Sequence, residues 1–213
     1  RAYDIYIRLA EKNPEAYEQD LATYCNNLGN LYRDLKRYTE AEEYHKRAYE
    51  IRSRLAEKNP GAYEQDLAMT CYNLGLLYGD INRYTEAEEY YKRAYAIYKR
   101  IIDKKDGNIE WEFANVCNNL GTLYHNRKIL KHFHRRKRRL EYATTYYLEA
   151  CKIYNKLYKK YAKKYAADLA RIAFNLGDLC LKRKQREPAV LFFKKAASIY
   201  ESLVAENSEE YEG

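Results

Sequence analysis

The chain has 213 residues, 46% hydrophobic and 33% charged, with 39 Lys and Arg against 31 Asp and Glu for a net charge of +8. This composition excludes intrinsic disorder, and 8 Gly with 3 Pro exclude a fold built from many tight turns. No run approaches the roughly 18 apolar residues of a membrane span, and no secretory leader opens the sequence.

Taken in chain order, residues 1–12 already read as a helix. Ala2, Ile5 and Leu9 lie 46 residues before Ala48, Ile51 and Leu55. They are expected to form the second helix of a unit whose first helix would precede Arg1. Residues 13–58 form the first complete unit, and 59–104 repeat it almost word for word: "NPEAYEQDLATYCNNLGNLY" returns as "NPGAYEQDLAMTCYNLGLLY". Residues 105–160 carry a third copy ("FANVCNNLGTLY") and 161–206 a fourth ("LARIAFNLGDLC"), before a short acidic tail, 207–213. Self-similarity at a fixed period of this length signals a solenoid forming one continuous domain.

Within a unit the apolar residues recur at helical spacing, as Leu21, Cys25, Leu28 and Tyr32 do. Gly29, Gly75, Gly121 and Gly177 interrupt that face. A helical Gly costs up to ~1 kcal/mol against Ala, so its return in four copies predicts close approach of a second helix. Ala41, Tyr44 and Ala48 supply the partner's face, and each unit is an antiparallel helix pair. Asn-Pro at 13–14 and 59–60 ends one helix and starts the next.

The Leu-Gly pair, the Tyr three residues later and the two Ala of the second helix resemble the tetratricopeptide repeat over essentially the whole chain. The long period, "NNLG" and "RYTEAEEYYKRA" are similar to the repeats of kinesin light chain and related bacterial proteins. The resemblance implies an all-α, right-handed superhelical solenoid of about nine helices. It further implies a non-enzymatic scaffold that binds a peptide or partner segment in a concave groove.

Asn27, Asn73, Asn119 and Asn175 precede the Leu of every Leu-Gly pair, although nothing in a helix favours Asn there. One reading is a ladder of amides gripping an extended peptide backbone, with Asn26, Asn30, Tyr72, Asn118, Thr122 and Phe174 beside it to read side chains. Such a use of Asn is what the resemblance implies. The alternative is that these amides bond across to the next helix and stiffen the stack.

Arg127, Lys128, Lys131, Arg135, Arg136, Lys137, Arg138 and Arg139 form a basic stretch with no acid, and without them the chain balances at 31 basic and 31 acidic residues. Residues 125–138, between Tyr124 and Arg139, are 14 where the other units have four, an insertion of ten between the two helices of the third unit that is expected to extend those helices into a basic tip. Such a tip suits an acidic partner surface or nucleic acid. With no second basic surface apparent, nucleic acid is the less favoured partner. A further alternative makes the chain the sensor or spacer arm of a longer signalling protein.

Cys25, Cys71 and Cys117 occupy one repeat position and should be small buried thiols, too far apart for disulfides. No cofactor or metal set is expected: His132 and His134 lie two apart, pointing to different sides of a helix. No nucleophile motif stands out, so no enzyme is expected. The reduced thiols suit a cytoplasmic protein. The oligomeric state is not legible in the sequence.

Overall fold

The structure is a computed structural model that describes residues 2–104, 108–126 and 136–212. Among these the secondary structure is helical throughout: α1 (Ala2–Lys12), α2 (Pro14–Asp34), α3 (Tyr38–Lys58), α4 (Pro60–Asp80), α5 (Tyr84–Asp103), α6 (Glu110–His125), α7 (Arg136–Lys160), α8 (Ala162–Lys182) and α9 (Arg186–Glu212). The chain divides into two compact units, residues 1–107 with α1–α5 and residues 108–213 with α6–α9. Within each unit every helix packs on the next in the chain, and α2 also touches α4 as α6 touches α8. The fold is all-α, built from antiparallel helix pairs.

Local sequence sets the helix ends. Asn13 and Asn59 cap α2 and α4, each side chain accepting the backbone N–H of Ala16 or Ala62 at 3.3 Å, with Pro in the first turn. This satisfies one donor that a helix start leaves bare, while Pro forfeits none that was needed. The return turns pass through Lys36, Asn82 and Lys184, with φ of 58°, 62° and 62°. After the first two turns comes "RYTE", in which Arg37 and Arg83 lie 4.6 Å over the rings of Tyr32 and Tyr78 and pair with Glu40 and Glu86. That pairing fastens the second helix back onto the first.

Inside each hairpin the glycine expectation is answered. A Cβ on Gly29 would fall 2.6 Å from the His45 ring; on Gly75, 2.5 Å from Tyr91; on Gly121, 2.3 Å from Tyr147; on Gly177, 2.7 Å from Phe193. Each glycine is a socket for a ring of the facing helix. Ala41 and Ala48, Ala87 and Ala94, Ala143 and Ala150, and Ala189 and Ala196 are all buried beside these rings. Small residues on one helix thus admit large ones from the other, which is how a two-layer stack reaches interior packing density.

The insertion departs from expectation. α6 does not extend into it: the helix ends at His125, and Asn126 is extended (φ −75°, ψ 117°). α7 is described from Arg136, four residues before the position matching Tyr38, so on that side the helix does reach into the insertion as expected. Arg127, Lys128, Lys131, Arg135, His132 and His134 lie outside the described residues.

Candidate functional site

The first helices of neighbouring hairpins, α2 with α4 and α6 with α8, meet along a seam of polar contacts that recur at one separation. In the first unit Gln19 donates its amide to Asp66, Asn73 donates Nδ2 to Asn26 Oδ1 at 3.1 Å, and Arg33 Nε donates to Asp80 Oδ2 at 2.6 Å. Each pair spans 47 residues, one repeat plus one. Along each helix the rungs are seven residues apart, two turns or about 10.5 Å, so they stay on one stripe. In the second unit Trp111 Nε1 donates to Asp168 Oδ2 at 3.0 Å and Asn175 Nδ2 to Asn118 Oδ1 at 3.1 Å, both 57 residues apart because the insertion adds ten. The middle rung is Asn on Asn in both units.

These rungs place the Asn residues singled out in the sequence. Asn73 is buried at 8% exposure and Asn175 half-buried, and each spends an N–H on the neighbouring helix, the stiffening role. Asn26 and Asn118, expected to read a ligand, are the buried acceptors of those bonds, each 3% exposed. Asn27 is exposed, and Asn119, Asn30 and Tyr72 are half-buried. Thr122 and Phe174 are exposed.

A second layer fixes the seam from beneath. Arg52 of α3 is buried, yet its guanidinium donates to the Asp66 carbonyl (3.1 Å), Thr70 Oγ1 (2.7 Å) and Thr23 Oγ1 (3.2 Å), while Nε has no partner. Desolvation depresses its pKa, with Asp66 the largest opposing influence. The matching residue of α7, Tyr154, donates its hydroxyl to Asn115 Oδ1 at 2.8 Å. Thr23 and Asn115 occupy one repeat position, so the second helix holds the same row of the first in both units. Reading Arg52 as a helix-face charge misses this; its signal is that Tyr98 and Tyr154 stand at its place in other copies.

The third rung of the second unit differs. His125 is buried with Nδ1 3.3 Å from the Tyr147 hydroxyl, which itself donates to Thr122 Oγ1 at 3.1 Å. His125 Nε2 lies 3.4 Å from Asp178 Oδ2 but off a hydrogen-bond line, so this nitrogen is unsatisfied. Asp178 pairs instead with Lys182 at 3.0 Å. Burial lowers the His125 pKa to about 4, Lys182 and Arg139 adding to the effect and Asp178 opposing it.

Lys137 and Arg138 are exposed and Arg139 is buried. Against the sequence expectation, a second basic segment adjoins them. Arg183, in "LKRKQR", donates to Thr144 of α7 at 2.7 Å and lines an open cleft of about 460 Å³ with Lys137, Leu140 and Glu141. Arg183 lies far from Lys137 in sequence, and only the packing of the hairpin brings it beside α7.

All five cysteines are buried and free, and burial pushes the Cys25 and Cys71 thiols up to about 11 and about 12. Thiols so shifted are poor nucleophiles and poor ligands at neutral pH. Among the described residues no group of three or more His, Cys, Asp or Glu could hold a metal ion, and no helix is long and apolar enough to cross a membrane.

Two family models described as tetratricopeptide repeat match the chain, one over residues 19–100 and one over 170–203. Among solved structures the chain is similar to the apo form of RapI (TM-score 0.69, 20% identity, 97% of this chain and 65% of that one). It is also similar to MamA (0.55, 18%, 96% and 90%) and to BtubC (BKLC) from P. vanneervenii (0.50, 20%, 94% and 87%). At these identities the likeness is one of fold, and the chain spans 65% of the length of RapI. No curated protein sequence matches it.

Proposed function

The chain belongs to the tetratricopeptide repeat family, whose fold serves as a protein-interaction scaffold, and we propose that it acts without catalysis, binding an extended peptide or partner segment along the first helices of its hairpins. The observation that carries this reading is the contrast between the rungs and what flanks them. The middle rung is the same Asn pair in both units, whereas flanking positions vary by copy: Thr23, Met69, Asn115 and Arg171 at one, Asn30, Leu76, Thr122 and Asp178 at another. Rungs that fix helix spacing hold the flanking side chains in a set array, and pre-organised groups bind at lower entropic cost. A carboxamide has two N–H donors and a carbonyl, so a rung that uses one donor of Asn175 does not exhaust its chemistry. In this reading Asn27, Asn30, Asn119 and Asn175 contact the ligand backbone, while Asn73 and Asn26 set the geometry.

The test is a peptide-array screen followed by titration. Asn27→Ala with Asn30→Ala should weaken the selected peptide by about tenfold or more, each lost hydrogen bond being worth ~0.5–1.5 kcal/mol, with the thermal midpoint unchanged. Unchanged affinity in that double variant overturns the reading.

A second reading has its own observation: Arg183 beside Lys137 joins two basic segments into one surface, which suits an acidic partner. Its signature is a steep loss of affinity with salt, abolished by Lys137→Glu with Arg183→Glu.

A further inference from the structure

By repeat register, each exposed position of the second unit has a counterpart in the first. On α3, Glu43, Glu50 and Glu57 form an exposed row at seven-residue spacing, on the side opposite buried Arg52. Lys46, Arg54 and Lys58 are exposed beside them, so this face carries as many bases as acids. α3 is an interior helix: it packs on α2 and α4, reaches α1 through Arg47 and Tyr3 at 2.7 Å, and reaches α5 through Tyr49 and Arg93 at 2.6 Å. These positions are exposed all the same, so stacking more helices of this kind does not cover them.

On α7 the same row reads Thr145, Lys152 and Lys159, with Leu148, Lys156 and Lys160 beside it. The start of α8 adds Lys163 and Lys164 where α4 has Gly61 and Ala62. All eight are exposed, and no Asp or Glu occurs between Glu149 and Asp168. Lys152, Lys156, Lys159 and Lys160 line an open cleft of about 520 Å³ with Asn155.

Three apolar changes accompany the lysines. Leu148 is 49% exposed where α3 and α5 have Lys46 and Lys92, and Leu191 of α9 is 69% exposed where they have Glu43 and Glu89. Tyr161 is 49% exposed where Asn13 and Asn59 cap α2 and α4, and it makes no side-chain cap for α8. Lys195 Nζ donates to Asn155 Oδ1 at 2.7 Å, which ties α9 to this side of α7 and sets Leu191, one turn before Lys195, beside the lysines. None of this serves the fold: leucine meets water, a helix cap is forgone, and Lys163 and Lys164 occupy a first turn, where the helix dipole opposes positive charge.

We propose that this face of the second unit adsorbs to an anionic phospholipid bilayer, its lysines among the headgroups and Leu148, Leu191 and Tyr161 entering the interface. Polybasic surfaces gather at anionic lipid through diffuse attraction, lysine stems lie along apolar surface while the ammonium stays in water, and Tyr rings settle at headgroup level. A carboxylate or phosphodiester partner is better gripped by the bidentate fork of Arg, yet no Arg occurs between Arg139 and Arg171. Where this chain binds carboxylates of a neighbouring helix it uses Arg33, Arg54, Arg83 and Arg100. Neither kind of polymer calls for exposed leucines where other copies carry charge. A second copy offers no acidic counterpart, because the same face of α3 is balanced.

Co-sedimentation of the full chain with vesicles tests this, pure phosphatidylcholine against phosphatidylcholine with about one-third phosphatidylserine; partition onto the anionic vesicles should be at least about tenfold stronger. Lys152→Glu with Lys159→Glu, which installs the α3 residues, should cut that partition by about tenfold or more. Leu148→Lys with Leu191→Glu also installs α3 residues, leaves the net charge unchanged, and should weaken it by about fivefold or more. All four positions are exposed, so the circular dichroism melt stays in place. Equal partition onto the two vesicles, or parent-like partition of either double variant, overturns the proposal; if the leucine pair has no effect and polyglutamate or a single-stranded oligonucleotide binds at the same lysines, a soluble polyanion is the occupant. Loss of vesicle binding with Lys137→Glu and Arg183→Glu alone overturns it too, since lipid would then sit on the other basic surface. Asn27→Ala with Asn30→Ala leaves vesicle binding unchanged, so this proposal and the peptide reading fail separately.

Discussion

Asn73 and Asn26 form a buried amide pair, 3.1 Å from donor to acceptor, that ties α4 to α2 across 47 residues of chain. Neither side chain can be understood alone. Asn26→Leu should destabilise the chain by about 1–3 kcal/mol, the cost of stranding a buried donor. Asn26→Leu with Asn73→Leu should recover most of that loss, because replacing both partners leaves nothing unpaired. Urea titrations of the single and double variants form the cycle, and additive losses would show that the pair is not coupled.

The glycine sockets make a sharper demand. Gly121→Ala would set a methyl 2.3 Å from Tyr147 Cδ1 and 2.9 Å from Cγ, near the root of the ring, where rotation gives little relief. A loss of about 1–3 kcal/mol is expected, the usual cost of overpacking. Gly61, whose added Cβ would meet only Asn59 Oδ1 at 3.8 Å, should accept Ala with a small gain from helix propensity. Thermal midpoints of the two variants should move in opposite directions.

His45 sets an acid limit on stability. It is fully buried, neither ring nitrogen has a partner, and desolvation chiefly, with Arg33 and Arg52 adding, lowers its pKa to about 4. The unfolded chain, with His near 6.5, binds the extra proton first as pH falls, so stability is full above about 6.5 and is lost between there and about 4. Each pKa unit is worth ~1.4 kcal/mol, so the loss from this residue is at most about 3.5 kcal/mol. His45→Phe, the residue type at Phe193, should flatten the pH 4–6.5 slope of a denaturation series while retaining the helical signal. His125, lowered in the same direction, leaves a residual slope.

Lys36 and Lys184 hold the left-handed backbone at φ 58° and 62°, which costs a residue with a Cβ roughly 1–2 kcal/mol. Lys36→Gly should relieve part of that cost and raise the thermal midpoint. Lys36→Val should lower it, since a β-branched side chain tolerates positive φ least. A midpoint indifferent to both would show that this turn does not limit stability.

Much of the fold was legible because the repeat states each feature several times. Leu28-Gly29 alone is weak evidence for helix contact, but four copies, each opposite an aromatic ring or His45, leave little else to infer. The Asn residues were legible as important, not as partners of one another. Asn26 and Asn73 lie one repeat plus one residue apart, a bond that comparison of equivalent positions cannot show. Arg183 beside Lys137 was hidden for another reason: the second basic segment belongs to the turn after α8 and meets α7 only through packing. The end of α6 was not legible because apolar spacing continues past His125, whereas the backbone turns extended at Asn126.

The glycine sockets constrain substitution on one side only. What enters them differs among His45, Tyr91, Tyr147 and Phe193, and the Tyr hydroxyls end beside Gly79 in one case and His125 in the other, at the level of the third seam position. Exchanging Tyr for Phe there leaves the hydrocarbon fit intact and subtracts a single oxygen at the helix-to-helix boundary. Divergence in this chain can therefore retune the polarity of that boundary from the opposite helix, with no change to any residue that lies on it.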